Sequence, residues 1–327
     1  MNIEGQPVER VAVVGAGTIG MGWAIVFARA GLTVHAHDAD AAALGQLPDR
    51  IARATALMER SGWLDAGGRA ALLGRVRCCA DLEGALAGVQ YVQESVPEDL
   101  ALKRAAMEEL DRRLSPEVIV GSSTSGIPMT PMAQRTRYPE RCVVVHPTNP
   151  PHIVPLVEIV PGERTAPDTV RFARALMEAC GQSPIVCRKE VPGFVLNRLQ
   201  FALEREAFLL ARMGVASVAD IDRAVSEGLG LRWALIGPFL VEETNAGNIR
   251  DDLTKFGAAI DELFTEVCGP FDGLRDEDID RAEEGVRELM AGRSHDDLVA
   301  FRDEVVLRLR ALKPVWQSGA SGVESAG

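Results

Sequence analysis

The stretch VAVVGAGTIGMGWAIVFARAGLTVHAHD, residues 11–38, decides the fold of the first half of the chain. Val11 to Val14 form a short apolar run that predicts a buried strand, and a glycine-rich turn, Gly15 to Gly20, follows at once. An amphipathic helix is predicted next, and a second strand over Thr33 to His37 ends at Asp38. Strand, GxGxxG turn, helix, strand and acid within about 30 residues are typical of a dinucleotide-binding unit.

Each part of the glycine turn has a task in such a unit. Gly15 makes the tight turn, Gly17 lets the backbone approach a pyrophosphate, and Gly20 lets the helix pack closely on the strand. The amino terminus of the helix, with Thr18 and Ile19, attracts the negative charge.

Asp38 is predicted to accept hydrogen bonds from the ribose hydroxyls, and it would repel a 2′-phosphate. Because no arginine follows it directly, NAD is the predicted cofactor rather than NADP. A glycine-rich turn in an unrelated α/β protein is the alternative.

Composition limits the class of protein. The 327 residues, 47% of them hydrophobic, predict two domains with substantial cores. A net charge of −12 argues against binding to nucleic acid or an anionic membrane. No apolar run approaches about 18 residues, and the first residues lack an apolar signal core. The six cysteines are scattered without zinc spacing, so they are expected to be reduced and buried. We predict a cytoplasmic protein without a metal site.

Strand patterns stop near residue 191, and only helices are predicted beyond it. The fold class is therefore α/β, with a Rossmann-type domain over residues 1–191 built on a mostly parallel sheet, and an all-α carboxyl-terminal domain over residues 192–327. The Ser/Gly-rich tail, residues 317–327, is expected to be disordered. The role of the arginine-rich segment Arg50 to Arg77 is open.

The segment Arg141 to Val160, RCVVVHPTNPPHIVPLVEIV, reads as strand, turn and strand. Its prolines forbid a continued helix or ladder, so the chain must turn between the apolar runs. His146 ends the first run and Glu158 lies within the second, so adjacent strands would let the carboxylate reach the imidazole. A carboxylate on one ring nitrogen fixes the tautomer and raises the basicity of the other, which makes a general base. The alternative is a pair that only holds the strands together.

Two polar segments follow other predicted strands. One carries Glu98 and Lys103, and the other runs from Ser122 to Gly126. Polar residues at the carboxyl ends of strands face the ligand crevice of open α/β sheets. The alternatives are surface charges for the first segment and a polar turn for the second.

With these residues in place, the chain resembles the 3-hydroxyacyl-CoA dehydrogenase superfamily along nearly its whole length. It looks most similar to the lambda-crystallin branch, whose members act as L-gulonate 3-dehydrogenase. The resemblance rests on VAVVGAGTIG, SVPEDLALK, SSTSG, HPTNPPHIVPLVEIVPGERTAP, EVPGFVLNRLQ, EGLGLRWALIGP and FRDEVVLRLRALK.

The resemblance implies roles residue by residue. His146 is the general base, Glu158 stabilises its imidazolium, and Ser125 and Asn197 bind the reacting oxygen or hold the histidine. The implied cofactor contacts are Gly15, Gly17, Thr18, Ile19, Gly20, Asp38, Glu98 and Lys103, and the implied substrate contacts are Ser125, Asn149 and Arg232.

The implied reaction is NAD-dependent oxidation of a 3-hydroxyl group, with a small free L-3-hydroxy acid as the favoured substrate and two alternative substrates open. A small free L-3-hydroxy acid such as L-gulonate needs a cation for its carboxylate, which Arg232 can supply unless it pairs with Glu227. An acyl-CoA thioester needs none, and carnitine would place a quaternary amine near Trp233, which is otherwise a core residue. The family also implies a homodimer formed through the carboxyl-terminal domain. A non-catalytic crystallin that keeps only NAD binding is the remote alternative.

Overall fold

The computed structural model describes residues 1–244, 248–267 and 273–312. The chain forms two compact units. Unit 1 consists of Met1–Arg198 together with Ala300–Ala311, and unit 2 of Leu199–Val299 and Leu312–Gly327. The sequence placed the division after residue 191, which stays a prediction, and it did not anticipate that Ala300–Ala311 joins unit 1.

Ten strands precede the helical part of the chain. They are β1 Asn2–Ile3, β2 Gln6–Pro7, β3 Arg10–Val14, β4 Thr33–His37, β5 Val76–Cys78, β6 Tyr91–Glu94, β7 Ile119–Ser122, β8 Cys142–Pro147, β9 Leu156–Pro161 and β10 Ser183–Val186. The α-helices are α1 Thr18–Arg29, α2 Ala41–Arg60, α3 Ala66–Arg75, α4 Leu82–Leu86, α5 Leu100–Arg113, α6 Met129–Met132, α7 Pro167–Ala179, α8 Leu196–Arg212, α9 Val218–Arg223, α10 Gly230–Trp233, α11 Pro238–Glu243, α12 Ile249–Val267, α13 Asp276–Met290 and α14 His295–Leu312.

Unit 1 is built on an eight-stranded sheet in the order β10-β9-β8-β7-β6-β3-β4-β5. Every neighbouring pair is parallel except β8 and β9, which are antiparallel. The strand order reverses between β3 and β6, and ligands of open α/β sheets bind at such a switch point, outside the carboxyl ends of the strands. The predicted fold class, a mostly parallel Rossmann-type sheet followed by helices, is confirmed.

The sheet of unit 1 is covered on both faces because its strands are apolar at consecutive positions. In β3, Val11 and Val13 face one core cluster while Ala12 and Val14 face the other. The first cluster includes Leu307 of α14, which is fully buried. Trp63 Nε1 donates to the Leu307 carbonyl at 2.8 Å and so fixes this part of α14 within unit 1.

Two local expectations differ from the structure. The sequence predicts a helical pair over Arg50 to Arg75 that is broken near Ser61–Gly62 and near Gly67–Gly68. In the structure the first helix begins earlier, at Ala41, and α3 runs unbroken through Gly67 and Gly68, with Asp65 as its cap accepting from the Gly68 amide. Cys78 is exposed, so the expectation of buried cysteines is wrong there, although Cys142, Cys180 and Cys187 are buried. Cys268 and the tail at 317–327 lie outside the described residues.

The described part of unit 2 contains helices only, as the sequence predicts. Ser217 caps α9, and its side chain accepts from the Asp220 amide. None of the helices in the described ranges is long and apolar enough to cross a membrane.

Candidate active site

The glycine turn after β3 has the geometry that a bound dinucleotide requires. Gly15 has a φ of +107°, and a Cβ there would lie 2.3 Å from the Ser95 carbonyl oxygen, at the end of β6. A Cβ on Gly20 would lie 1.8 Å from the Gly15 carbonyl oxygen, so turn and helix pack without space for a side chain. A Cβ on Gly17 would meet open space, which leaves room for a pyrophosphate against the backbone.

The helix that starts at this turn is uncapped. Gly17 is its N-cap and offers no side chain, and no acid lies in the first turn, where Thr18 and Ile19 stand. By contrast, aspartate side chains cap each of α2, α3, α4 and α5. The amino terminus of α1 therefore keeps free N–H groups and its positive dipole end for a phosphate.

Asp38 follows β4 and joins the same turn. Its Oδ2 accepts from the Ala16 amide at 2.6 Å and its Oδ1 from the Asp40 amide at 2.8 Å. The carboxylate is thus held at the edge of the glycine turn, half-exposed, where its remaining lone pairs can accept ribose hydroxyls. The residues present fit a dinucleotide, and their individual contacts to it stay predictions.

His146 and Glu158 lie opposite each other on antiparallel strands. The register of β8 and β9 pairs the two residues directly, and Glu158 Oε2 lies 2.7 Å from His146 Nδ1. His146 is 6% exposed and Glu158 is fully buried. Because Nδ1 is engaged by the carboxylate, Nε2 is the nitrogen left to exchange a proton.

A second oxygen of Glu158 binds the start of α8. Oε1 accepts from the amides of Val195 at 2.8 Å and Leu196 at 2.9 Å. Burial alone would raise the pKa of Glu158, but the hydrogen bonds from His146 and from these two amides outweigh it and lower that pKa below the ordinary value. The carboxylate therefore stays ionised beside the imidazole.

The turn before α8 completes this arrangement. Gly193 and Phe194 both have positive φ, +76° and +49°, and this bend directs the following amides to Glu158. The Phe194 ring is fully buried with its centroid 5.8 Å from that of His146, which packs the imidazole from one side. A non-glycine residue with positive φ is strained, and strain of this kind clusters at functional sites.

Ser125 and Asn197 are brought together by one hydrogen bond. Asn197 Nδ2 donates to the Ser125 carbonyl at 2.7 Å. The side-chain amide of Asn197 therefore holds the serine turn, which we define as Ser122 to Gly126. Ser125 itself is exposed, just beyond the carboxyl end of β7. The sequence expected both side chains to contact the reacting oxygen or the histidine, and that expectation stays a prediction.

Glu98 is the partner of the serine turn. Its Oε1 accepts from Thr124 Oγ1 at 2.7 Å, from the amides of Ser125 at 2.9 Å and Gly126 at 3.2 Å, and from Ser125 Oγ at 3.2 Å. Partial burial would raise the pKa of Glu98, but these bonds and the nearby Lys103 ammonium lower it below its ordinary value.

Sequence reasoning missed Glu94, the last residue of β6. It is fully buried and forms an ion pair with Lys103, whose side chain is 1% exposed. The available signal was a glutamate at the end of an apolar strand, in the position from which strand ends reach the crevice. Lys103, predicted as a cofactor contact, lies in the interior with its ammonium among protein acceptors.

The remaining candidate substrate residues, Asn149 and Arg232, take no part in the hydrogen bonds described above. Asn149 is exposed in the turn between β8 and β9, and Arg232 is exposed on α10 in unit 2. His35 and His37 face the carbonyls of Ala85 and Cys79, consistent with structural roles. Among the described residues, no group of three metal-binding side chains is found.

The chain is similar to known proteins over nearly its whole length. Residues 10–191 match the family model described as 3-hydroxyacyl-CoA dehydrogenase, NAD binding domain, and residues 193–248 match that of its C-terminal domain. An L-carnitine dehydrogenase of Streptomyces coelicolor is 42% identical over 92% of this chain and 94% of its own, and a human lambda-crystallin homolog is 36% identical over 93% and 96%.

A solved structure is similar over the same length. The NAD+-dependent 5-formyl-3-hydroxy-2-methylpyridine 4-carboxylic acid 5-dehydrogenase is 31% identical, with a TM-score of 0.78 over 94% of this chain and 100% of the other. The matches confirm the predicted oxidoreductase class and the predicted NAD cofactor.

Proposed function

Because the chain belongs to the 3-hydroxyacyl-CoA dehydrogenase family, we propose that it oxidises the 3-hydroxyl group of a small free L-3-hydroxy acid, with L-carnitine as the first substrate to test. The observation that carries the proposal is the buried hydrogen bond of 2.7 Å between His146 Nδ1 and Glu158 Oε2. L-Carnitine comes first because the Streptomyces relative is named for it, and L-carnitine is itself a small free 3-hydroxy acid.

His146 acts as the general base in this proposal. Glu158 keeps the proton of the imidazole on Nδ1, so Nε2 takes the proton of the 3-hydroxyl as the hydrogen on C3 leaves as hydride. The buried carboxylate then stabilises the imidazolium that forms. Bound NAD supplies the acceptor for that hydride.

Ser125 and Asn197 complete the site in this proposal. Ser125 exposes its hydroxyl beyond the carboxyl end of β7, the side of the sheet on which such crevices form. We assign it a hydrogen bond to the reacting oxygen. Asn197 holds the backbone of that serine turn through the Ser125 carbonyl.

Arg232 is our candidate for the substrate carboxylate. It is exposed, and none of the ion pairs among the described residues joins it to Glu227. A guanidinium binds a carboxylate with two parallel hydrogen bonds, which a thioester does not offer. Trp233, the next residue, is the candidate for packing on a quaternary amine.

The experiment that tests the proposal is NADH production with L-carnitine, L-gulonate, L-3-hydroxybutyrate and 3-hydroxybutyryl-CoA. We expect the highest kcat/KM with a free acid. L-3-Hydroxybutyrate shares the hydroxyl and carboxylate of carnitine but lacks its ammonium, so the ratio between these two measures recognition of the cation. The highest kcat/KM with the CoA thioester would contradict the proposal, and inactivity toward all four would favour the non-catalytic crystallin reading.

A substitution separates the carboxylate clamp from general damage. Arg232→Met should raise KM for the free acid at least about tenfold, since a charge-assisted bidentate pair contributes about 1.5–3 kcal/mol. Arg223→Met is the matched control, because Arg223 is also exposed in unit 2 but pairs with Asp220. An equal loss on the CoA thioester would argue against a clamp.

L-Gulonate is the second candidate, because the sequence motifs and the lambda-crystallin homolog favour that branch. Its use stays a prediction, as does the cytoplasmic location.

We also propose a homodimer formed through unit 2. Large apolar side chains are exposed on its helices and turns, with Phe239 at 78%, Leu235 at 68%, Met213 at 66% and Phe264 at 62%. Exposed apolar side chains in such number are typical of surfaces that another chain covers. Light scattering after gel filtration tests this, and a mass of one chain at micromolar concentration would contradict it.

A further inference from the structure

Glu94 is a buried carboxylate that the proposed reaction does not use. It lies at the carboxyl end of β6 and accepts from Ser122 Oγ at 2.5 Å, the Val96 amide at 2.6 Å and Lys103 Nζ at 3.1 Å. These partners come from the neighbouring strand β7, the loop after β6 and the helix α5. Because an unpaired buried charge is costly, the carboxylate is tied to all three.

Lys103 connects this carboxylate to a second one. Its ammonium lies 3.1 Å from Glu94 Oε1 and 3.4 Å from Glu98 Oε2, and it donates to the Val96 carbonyl at 3.0 Å. Its hydrogen-bond acceptors are both oxygens of Glu94 and the Val96 carbonyl, and Glu98 Oε2 is its second ionic partner. Lys103 thus joins the two carboxylates by charge.

Glu98 passes the restraint to the serine turn. Oε2 faces Lys103, while Oε1 accepts from Thr124, from the hydroxyl and amide of Ser125 and from the Gly126 amide. One carboxylate oxygen of Glu98 thus contacts Lys103 and the other binds the serine turn. Because both belong to one rigid carboxylate, the contact with Lys103 also fixes the oxygen that binds the serine turn.

We propose that Glu94 is a positioning residue for Ser125. It anchors Lys103, Lys103 fixes the rotamer of Glu98, and Glu98 orients the Ser125 hydroxyl toward the crevice. The inference rests on the proposed function, since it concerns the same reaction. It assigns a role to Glu94, which contacts neither substrate nor cofactor. Glu94 affects turnover only by orienting the Ser125 hydroxyl.

A double-mutant cycle between Glu94→Gln and Ser125→Ala tests the proposal. Glutamine keeps the shape but withdraws the charge from Lys103, so Glu98 is expected to turn toward the ammonium and release the serine turn. We expect kcat to fall at least about tenfold in the wild-type background and less than about twofold in the Ser125→Ala background. Because Glu98 and Lys103 are themselves predicted cofactor contacts, kcat is compared at saturating NAD+ in all four variants. Equal factors in both backgrounds would overturn the proposal.

Asp111→Asn is the matched control. Asp111 is also buried and paired, with Arg141 at 2.9 Å, but this pair lies next to the amino end of β8, away from His146. Asp111→Asn should change kcat by the same factor in the wild-type and Ser125→Ala backgrounds. If Glu94→Gln does not fold, Glu98→Gln enters the same cycle, because Glu98 is partly exposed and the amide keeps an acceptor.

The substrate is whichever compound of the panel the wild type turns over best, so the two proposals fail separately. An active wild type with a multiplicative cycle would overturn the positioning role alone. A wild type inactive toward every compound would overturn the proposed function and this inference with it.

Discussion

Glu158→Gln is the substitution that tests the candidate base most directly, because it removes the charge and replaces one oxygen with an NH2 group while keeping the shape of the side chain. Glutamine can keep Oε1, so the amides of Val195 and Leu196 retain their acceptor. Its NH2 group, however, would stand where Oε2 now lies, 2.7 Å from His146 Nδ1. Nδ1 must then accept, which places the ring proton on Nε2 and removes the free lone pair.

The magnitude follows from what is lost. Positioned general-base catalysis contributes about 10²–10⁴ in rate, equivalent to about 3–5 kcal/mol. The imidazolium also loses its buried counter-charge. We therefore expect kcat to fall by at least about a hundredfold, while the affinity for NAD+ stays within about twofold because no residue of the glycine turn changes.

Steady-state NADH formation measures kcat, and calorimetric titration measures NAD+ affinity in the same preparation. Asp111→Asn serves as the control for loss of a buried carboxylate in unit 1, and it should leave kcat within a few-fold of the wild type. A kcat for Glu158→Gln within about fivefold of the wild type would refute the assignment. It would leave the pair with the purely structural role of joining two strands.

Two further predictions concern the cofactor turn and stability. Gly20→Ala should raise the Kd for NADH at least about tenfold in a fluorescence titration, because its Cβ would lie 1.8 Å from a backbone oxygen; Gly45→Ala, in open space on α2, should leave that Kd unchanged. His152 is buried, and burial together with Arg29 and Arg302 lowers its pKa to about 4. The unfolded histidine takes up its proton near pH 6.5, so stability is present above that pH and is lost between about 6.5 and 4, by up to about 3 kcal/mol. Urea unfolding across this range should show that loss, and His152→Asn should lack it; identical slopes would contradict the prediction.

The local parts of this site could be predicted from the sequence because short-range chemistry fixes them. β-branched runs and the prolines at 147, 150 and 151 require strand, turn and strand around His146 and Glu158, and the structure pairs the two residues directly. The glycine turn is also largely local, since Gly15 has a positive φ and Gly20 packs on the Gly15 carbonyl five residues before it. Such patterns consist of hydrophobic periodicity and turn residues. Both can be recognised in the sequence without knowing the tertiary contacts.

The rest depends on contacts that no local pattern specifies. Glu94 is a strand-end glutamate like many others until β7 and α5 bring Ser122 and Lys103 to it. The sequence also predicts a helix from about His295 to Leu312, and α14 has those bounds. Its amphipathic pattern indicates that one face is covered but not by what, so its packing on Trp63 was missed.

The burial of Leu307 against Trp63 has a consequence for biosynthesis. Unit 1 cannot complete its core until α14 has left the ribosome, because the fully buried Leu307 and its hydrogen-bonded carbonyl are synthesised long after Arg198. A nascent chain that stops at Arg198 therefore exposes the apolar side chains that Leu307 covers. Chaperones and proteases recognise such exposed apolar surface. Separate expression of the first 198 residues should yield a poorly soluble fragment, and co-expression of residues 300–311 supplies the missing piece.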